Sequence, residues 1–216
     1  MARYSSAILP ILVLVSAISA DTAVARSRLT QDTDTLAPIV EASPVLAPFQ
    51  HVRFCLRYPD DCKSNVTENE RIDLSDDTLK LLDHVNRDIN TAINPMTKGY
   101  GSNVQDGWTI SPNMGDCNDY AVTKRHELLQ NGLPAKALRL SVVQTASGIG
   151  HLVLVVVTTK GNLVLDNLTE TIRSWQNTNY HWLKIQSATD ARFWYEVKAP
   201  NATVSQAYRS FQVADR

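Results

Sequence analysis

The spacing of the hydrophobic residues changes near residue 137, and this change constrains the fold more than any other feature of the sequence. Upstream of it, apolar residues recur at the spacing of one helix face. Downstream of it, apolar and polar residues alternate at 138–142, and residues 152–157 are apolar on both faces, as in a central strand. Helices followed by an antiparallel set of strands indicate an α+β fold, in which the helical N-terminal part packs on the sheet.

Two helices are predicted in the upstream part. The first spans about residues 76–93, and Ser75 can cap its start. The second spans about residues 118–130, and Gly132 suits the turn that follows it. Beyond the two strands already named, further strands are predicted at residues 163–166, 182–185 and 193–197.

The N-terminal residues have the composition of an export signal. Arg3 precedes an apolar run at residues 8–18, and small residues at 23–25 suit a signal peptidase. The run is short for a bilayer span, so we expect no stable membrane span after cleavage; an uncleaved anchor is the alternative. The sequence therefore predicts a signal peptide at 1–25, a linker or loosely ordered segment at 26–50, one domain at 51–198 and a C-terminal tail at 199–216.

Length and charge exclude some functions. The chain has 216 residues, enough for one domain with a full hydrophobic core. Its formal net charge of −1 provides no large basic field to hold nucleic acid or an anionic membrane. We therefore expect no nucleic-acid partner.

The sequence has three cysteines, an odd count that is informative in an exported chain. Pro59 and the acidic residues after it suggest a turn that brings Cys55 and Cys62 together, and an oxidising compartment would allow a disulfide there. Cys117 would then remain a free thiol. The alternatives are that Cys117 is a small core residue, or that it pairs with Cys55 or Cys62 and leaves the other cysteine free.

Cys117 follows a glycine-containing loop and stands at the start of the second predicted helix. Unpaired N–H groups and the helix dipole stabilise an anion at this place, so they favour a thiolate. The same N–H groups can stabilise the oxyanion that forms when a carbonyl is attacked. This position makes Cys117 a candidate nucleophile, with a purely structural residue as the alternative.

His151 opens the central strand, and Asp166 ends the strand predicted after it. A four-residue turn at 158–161 would pair Val153 with Asp166, so that His151 and Asp166 share one face and come within side-chain reach. A three-residue turn would put Asp166 on the opposite face. A thiol nucleophile needs a base, and an imidazole needs a partner to fix its orientation, so Cys117, His151 and Asp166 would supply nucleophile, base and orienter.

Other interpretations of these residues stay open. His151 can be a strand-end histidine and Asp166 a turn acid, in which case His181 is the best alternative base. Trp108, in the loop that leads to the cysteine, can donate its indole N–H to a developing oxyanion or wall the substrate cleft. The alternative for Trp108 is a core aromatic residue.

Oxygen-bearing side chains flank the candidate nucleophile. Asp116, Asn118 and Asp119 can hold calcium, or they can cap the helix, which is the interpretation that the sequence favours. We expect that no cofactor is required, with calcium as the alternative.

Two long motifs resemble those of the bacterial transglutaminase-like cysteine proteinases. The first is GDCNDYAVTKRHELLQNGLP, which contains Cys117, and the second is HLVLVVVTTKGNLVLDNL, which contains His151 and Asp166. The segments VNRDIN and YGSNVQDGW are also similar, and the resemblance covers roughly residues 50–197. It implies a papain-like, transglutaminase-like α+β fold with a triad formed by the three residues named here.

The best-studied members of that family are periplasmic, calcium-dependent proteases that cleave a surface adhesin. In them, the catalytic cysteine is typically followed by a glutamate that helps to bind calcium. Asn118 takes that position here, and nothing in this sequence identifies an adhesin as the substrate.

The sequence therefore predicts an exported, periplasmic hydrolase that cleaves a peptide or side-chain amide bond of a protein or peptide through a thioester acyl-enzyme. One rival function resolves the same acyl-enzyme with an amine, which gives transglutaminase or amidase activity. A second rival is a non-catalytic periplasmic binding module of the same fold.

Overall fold

The computed structural model describes residues 38–65, 67–96 and 107–198. The predicted signal peptide at 1–25 and the predicted tail at 199–216 lie outside these residues. Among the described residues, none of the helices combines the length and the apolar character that crossing a membrane would need.

The described residues form three α-helices and nine strands. The helices are α1 (Phe49–Arg57), α2 (Asp76–Ala92) and α3 (Cys117–Gln130). The strands are β1 (Glu41–Val45), β2 (Asn94–Pro95), β3 (Met114–Gly115), β4 (Leu138–Gln144), β5 (Gly150–Thr158), β6 (Gly161–Leu165), β7 (Arg173–Ser174), β8 (His181–Gln186) and β9 (Trp194–Val197).

Seven of the strands form one antiparallel sheet in the order β1-β9-β8-β4-β5-β6-β7. Strands β2 and β3 form a separate short parallel pair in front of α3. Helix α3 packs on β5 and on α2, so the helical layer lies against the centre of the sheet. This arrangement confirms the predicted α+β fold.

The start of α2 is capped as the sequence predicted. The Ser75 hydroxyl accepts a hydrogen bond from the backbone N–H of Thr78 at 3.1 Å, which satisfies a donor that the helix leaves unpaired. The helix buries its apolar face, and Asn86 is buried among those apolar residues. Helix α3 is more deeply enclosed, because it buries charged as well as apolar side chains.

The core occupies both faces of the sheet, which explains the unbroken apolar run of β5. Side chains at alternating positions of this strand, with Leu154 as an example, pack under the helices. The intervening positions, with Val155 as an example, pack with Trp175 and Trp182 on the other face. A strand that is covered on both faces has no need of polar residues at alternate positions.

The β5–β6 hairpin has the register that the four-residue turn predicts. Thr158 pairs with Gly161, Val157 with Asn162 and Leu154 with Leu165. Gly161 has a φ of 106°, a left-handed conformation that favours glycine. The three-residue alternative is therefore wrong. The strand ends at Leu165, so the predicted end at 166 is corrected by one residue.

The prediction of a linker is wrong for its last ten residues, 41–50. Residues 41–45 form strand β1, which pairs with β9, and α1 begins at Phe49. The strand lies at the edge of the sheet, where Pro44 is tolerated because its missing N–H is not needed by a second neighbour. Two prolines in this stretch concealed a strand and the start of a helix from pattern reasoning.

Cys55 and Cys62 form a disulfide, as the sequence predicted, with their Cα atoms 5.5 Å apart. Cys55 lies near the end of α1, and Cys62 ends the 3-10 helix Pro59–Cys62 that follows. The bridge therefore fixes the exit of α1 against the turn, and Cys117 remains the free cysteine.

Replacing Cys55 and Cys62 together by alanine should lower the free energy of unfolding by about 2.5 kcal/mol, because the short loop between them is no longer closed in the unfolded chain. Urea denaturation measures this value. Reduction of the parent protein serves as the control, since it should produce a similar loss. No change in stability would contradict a structural role for the bridge.

Candidate active site

Cys117 is the first residue of α3, and Asp116 is its N-cap. The predicted start at residue 118 is thus one residue late. The thiol is half-buried at the start of the helix, where the backbone N–H groups of Asn118, Asp119 and Tyr120 donate to Asp116. The positive end of the helix dipole stabilises negative charge on the sulfur or on an oxygen bound close to it.

The turn that delivers Cys117 is held by a reciprocal set of hydrogen bonds. The Asp116 carboxylate accepts from the backbone N–H of Asn118 at 3.0 Å, and the Asp119 carboxylate accepts from the backbone N–H of Asp116 at 3.0 Å. A side chain on Gly115 would lie 2.8 Å from the Asp119 side chain, so the close approach requires glycine. The cysteine is thereby fixed by a capping box.

The capping bonds also decide how the three predicted calcium ligands are used. Asp119 Oδ1 accepts from the backbone N–H of Thr109 at 2.9 Å, and the Nδ2 group of Asn118 donates to Asp116 at 3.0 Å. The carboxylates of Asp116 and Asp119 therefore accept hydrogen bonds from backbone and amide N–H groups. The side chain of Asn118 directs its N–H toward the carboxylate of Asp116. These contacts fit the capping interpretation that the sequence favours, and calcium binding by the three residues stays a prediction. We derive no chemical step through a metal.

Among the described residues, one other group has three possible metal ligands close together. Atoms of His51, Cys55 and Cys62 lie within 4.8 Å of one another. Both sulfurs belong to the disulfide, so this group cannot act as a thiolate site in the oxidised protein.

His151 and Asp166 meet at one edge of the sheet. Nε2 of His151 lies 2.8 Å from Oδ1 of Asp166, and both side chains are buried. Cys117 interacts with the same imidazole, since the thiol contributes to raising the pKa of His151. Since Nε2 faces Asp166, Nδ1 is the nitrogen left for the thiol. The structure thus brings together the three side chains that the sequence singled out.

Asp166 is held on both of its oxygens. Oδ1 also accepts from the backbone N–H of Leu168 at 3.0 Å, and Oδ2 accepts from the hydroxyl of Tyr180. The ring of Tyr180 lies 5.7 Å from the imidazole of His151, centre to centre. The carboxylate is therefore aimed at the histidine by groups on two sides.

The pKa values follow from these contacts. Burial opposes the charged form of His151, but hydrogen bonds and charges from Asp166 and Cys117 outweigh burial and raise the pKa of His151 to about 9. Burial also opposes the charged form of Asp166, but hydrogen bonds from His151, Leu168 and Tyr180 lower the pKa of that carboxyl. Burial and the bond to Asp166 raise the pKa of Tyr180. The arrangement favours an imidazolium beside a carboxylate.

Sequence reasoning missed Tyr180, although it named the neighbouring His181 as the alternative base. His181 is exposed at the start of β8, whereas His151, Leu168 and Tyr180 are hydrogen-bonded to Asp166. Tyr180 precedes β8, and no periodic pattern connects it to Asp166. Strand β4 lies between β8 and β5. A search for polar residues at the end of β8 that is near the start of β5 could have found Tyr180.

Trp108 lies in the hydrophobic core, where its ring packs against His51 and Phe54 at centre-to-centre distances of 5.6 and 6.3 Å. This is the placement of a core aromatic residue, the alternative that the sequence left open. We assign Trp108 no contact with a substrate.

Solved structures that are similar to this chain include three of one bacterial protein. Calcium-bound LapG from Legionella pneumophila is 21% identical, with a TM-score of 0.48 over 62% of this chain and 80% of that chain. A second LapG structure has the same identity and TM-score over 62% and 75% of the two chains. An EGTA-treated LapG structure is 20% identical, with a TM-score of 0.43 over 56% and 68%. We base no argument on these distant likenesses, and the search of curated proteins gave no match.

The family comparison is more specific. A family model described as "Bacterial transglutaminase-like cysteine proteinase BTLCP" matches residues 41–202. The match includes β1, all three helices and all the remaining strands of the main sheet. The chain therefore belongs to the bacterial transglutaminase-like cysteine proteinases, a family of cysteine peptidases.

Proposed function

We propose that this protein hydrolyses an amide bond of a protein or peptide, with Cys117 as nucleophile, His151 as acid and base, and Asp166 as the group that orients His151. The observation that carries the proposal is the buried hydrogen bond between His151 and Asp166, with Cys117 at the start of α3 acting on the pKa of the same imidazole. Membership of a cysteine proteinase family supports the reaction class.

The first half-reaction forms a thioester. The Cys117 thiolate attacks the carbonyl carbon, and the carbonyl electron pair moves to the oxygen. The backbone N–H of Cys117 and the positive end of the α3 dipole are suited to stabilise that oxyanion. When the carbon–nitrogen bond breaks, the imidazolium of His151 gives its proton to the departing amine, and the acyl group stays on sulfur.

The second half-reaction releases the acid. Neutral His151 takes a proton from water, and the resulting hydroxide oxygen attacks the thioester carbon. The carbon–sulfur bond then breaks, which restores the Cys117 thiolate and the imidazolium. Asp166 holds Nε2 of the ring throughout, so that Nδ1 keeps facing the reacting atoms.

The proposed place of action is the periplasm. The N-terminal residues have the pattern of a cleavable signal, and the disulfide between Cys55 and Cys62 suits an oxidising compartment. The proposed substrate is therefore an exported or surface protein.

Replacing Cys117 by alanine should abolish proteolysis, because the thioester cannot form, while the melting temperature stays close to that of the parent protein. His151→Ala should also abolish it, since no proton reaches the departing amine. Mass spectrometry of exported proteins, with and without the enzyme, measures the appearance of new chain termini.

The matched control is His181→Ala, which removes the exposed histidine that is the rival base. It should leave the yield of new termini unchanged. Full activity in the Cys117 variant, or loss in the His181 variant alone, would contradict the proposed triad. Incorporation of a labelled primary amine in place of new termini would contradict hydrolysis.

The pH dependence of stability should report the ion pair. The folded-state pKa of His151, about 9, is above the value of about 6.5 for an exposed histidine. The folded protein therefore binds this proton more tightly than the unfolded chain does. The stabilisation is complete below about pH 6.5 and disappears as the pH rises through about 9.

Urea denaturation between these two pH values should show a free energy of unfolding that falls with pH relative to that of Asp166→Asn. The variant is the reference because Lys124, with a pKa of about 7, titrates in both proteins. Proteolysis should decline at the same alkaline end, because neutral His151 has no proton for the leaving amine. The His181→Ala variant again provides the control. A decline of equal size in Asp166→Asn would show that another group is responsible.

A further inference from the structure

A buried lysine lies behind the active site and has no part in the proposed chemistry. Lys124 stands on α3 about two helical turns after Cys117. Its side chain is only 1% exposed, and Nζ donates to Oδ1 of Asn86 on α2 at 2.8 Å. The lysine thus connects the helix that carries the nucleophile with the helix next to it.

Two asparagines of α2 hold the segment that follows β6, which begins with Asp166. Asn86 Nδ2 donates to the backbone oxygen of Glu170 at 3.0 Å. Asn90 Nδ2 donates to the backbone oxygen of Asp166 at 2.9 Å and lies 3.4 Å from that of Thr169. The position of the carboxylate therefore depends on the amide groups of these two side chains.

Lys124 fixes the orientation of one of these amides. An asparagine amide has an acceptor side and a donor side, and the ammonium group occupies the acceptor side of Asn86. The donor side must then face Glu170. Without Lys124, Oδ1 of Asn86 would be a buried acceptor that has lost its donor, a costly state that favours rotation or displacement of the amide.

The charge of Lys124 also interacts with that of Asp166. Burial lowers the pKa of Lys124 to about 7, and the negative charge of Asp166 acts in the opposite direction. A buried ammonium is costly to a fold, so an apolar residue would serve packing better. The field of the ammonium favours the ionised form of Asp166, which His151 requires.

We propose that Lys124 is a positioning residue of the active site, which holds the Asp166 segment through Asn86 and provides the positive charge behind the Asp166 carboxylate. The proposal rests on the proposed function of the triad. Helix α3 then carries two residues of the site: Cys117, the nucleophile, and Lys124, the cation that supports the Asp166 carboxylate.

The test uses the alkylation of Cys117 by iodoacetamide, which needs no knowledge of the substrate. The other two cysteines are bridged, so the label reports Cys117 alone. In the full chain, Lys124→Met and Asp166→Asn should each lower the second-order rate constant roughly tenfold near a pH of about 6.5, because both weaken the imidazolium beside the thiolate. The double variant should be no slower than Asp166→Asn alone, because both changes act through one carboxylate.

Two controls separate positioning from general packing. Leu128→Ala removes a fully buried side chain on the same helix, and it should lower the melting temperature. Its effect on the alkylation rate constant should be independent of that of Asp166→Asn. Arg87→Met removes an exposed cation that binds the same segment through Glu170 at 2.6 Å, and it should leave the rate unchanged. Circular dichroism and melting curves check that each variant is folded.

If Lys124→Met does not fold, Lys124→Gln takes its place, since it keeps an N–H donor for Asn86 but has no charge. A parent-like rate in the folded lysine variant, or an effect that multiplies with that of Asp166→Asn, would overturn the proposal. If Cys117 of the parent protein alkylates no faster than an ordinary thiol, the proposed function itself fails, and the two failures are therefore distinguishable.

Discussion

The hydrogen bond between Nε2 of His151 and Oδ1 of Asp166 is the interaction on which the rest of the site depends. It exists because the β5–β6 hairpin has one register, and a slip of one residue would turn one partner to the other face of the sheet. The apolar residues on both faces of β5 make such a slip costly. The packing of the core thus determines which acid faces which base.

The second requirement is the fixed start of α3. The carboxylates of Asp116 and Asp119, which first suggest a metal site, cap the start of the helix, and Gly115 before them allows the close turn. Helix capping is normally a matter of stability. Here it also determines the position of the sulfur, because Cys117 follows the cap directly. Stability and chemistry therefore use the same hydrogen bonds.

Much of this could be predicted from the sequence. The two long helices, the central strands, the disulfide and the approach of His151 to Asp166 follow from local periods, turn length and cysteine count. The place of Cys117 in the same site was predicted from the chemistry of a thiol nucleophile and from the family resemblance. The contributions of Tyr180 and Lys124 could not be predicted, because they depend on contacts between elements that are distant in the chain. Helix α1 and strand β1 were missed since prolines and exposed apolar residues give no clear period there.

The two borders of the main sheet have a consequence for the way in which a polypeptide can approach. One border is β1, where Pro44 and an irregular register interrupt the row of free backbone groups, and the other is β7, which is only two residues long. Neither offers a long template for another chain to add as a strand. In the part of the chain that the structure describes, the borders of the sheet are therefore poorly suited to pairing with a strand of a substrate or of a second copy of the protein.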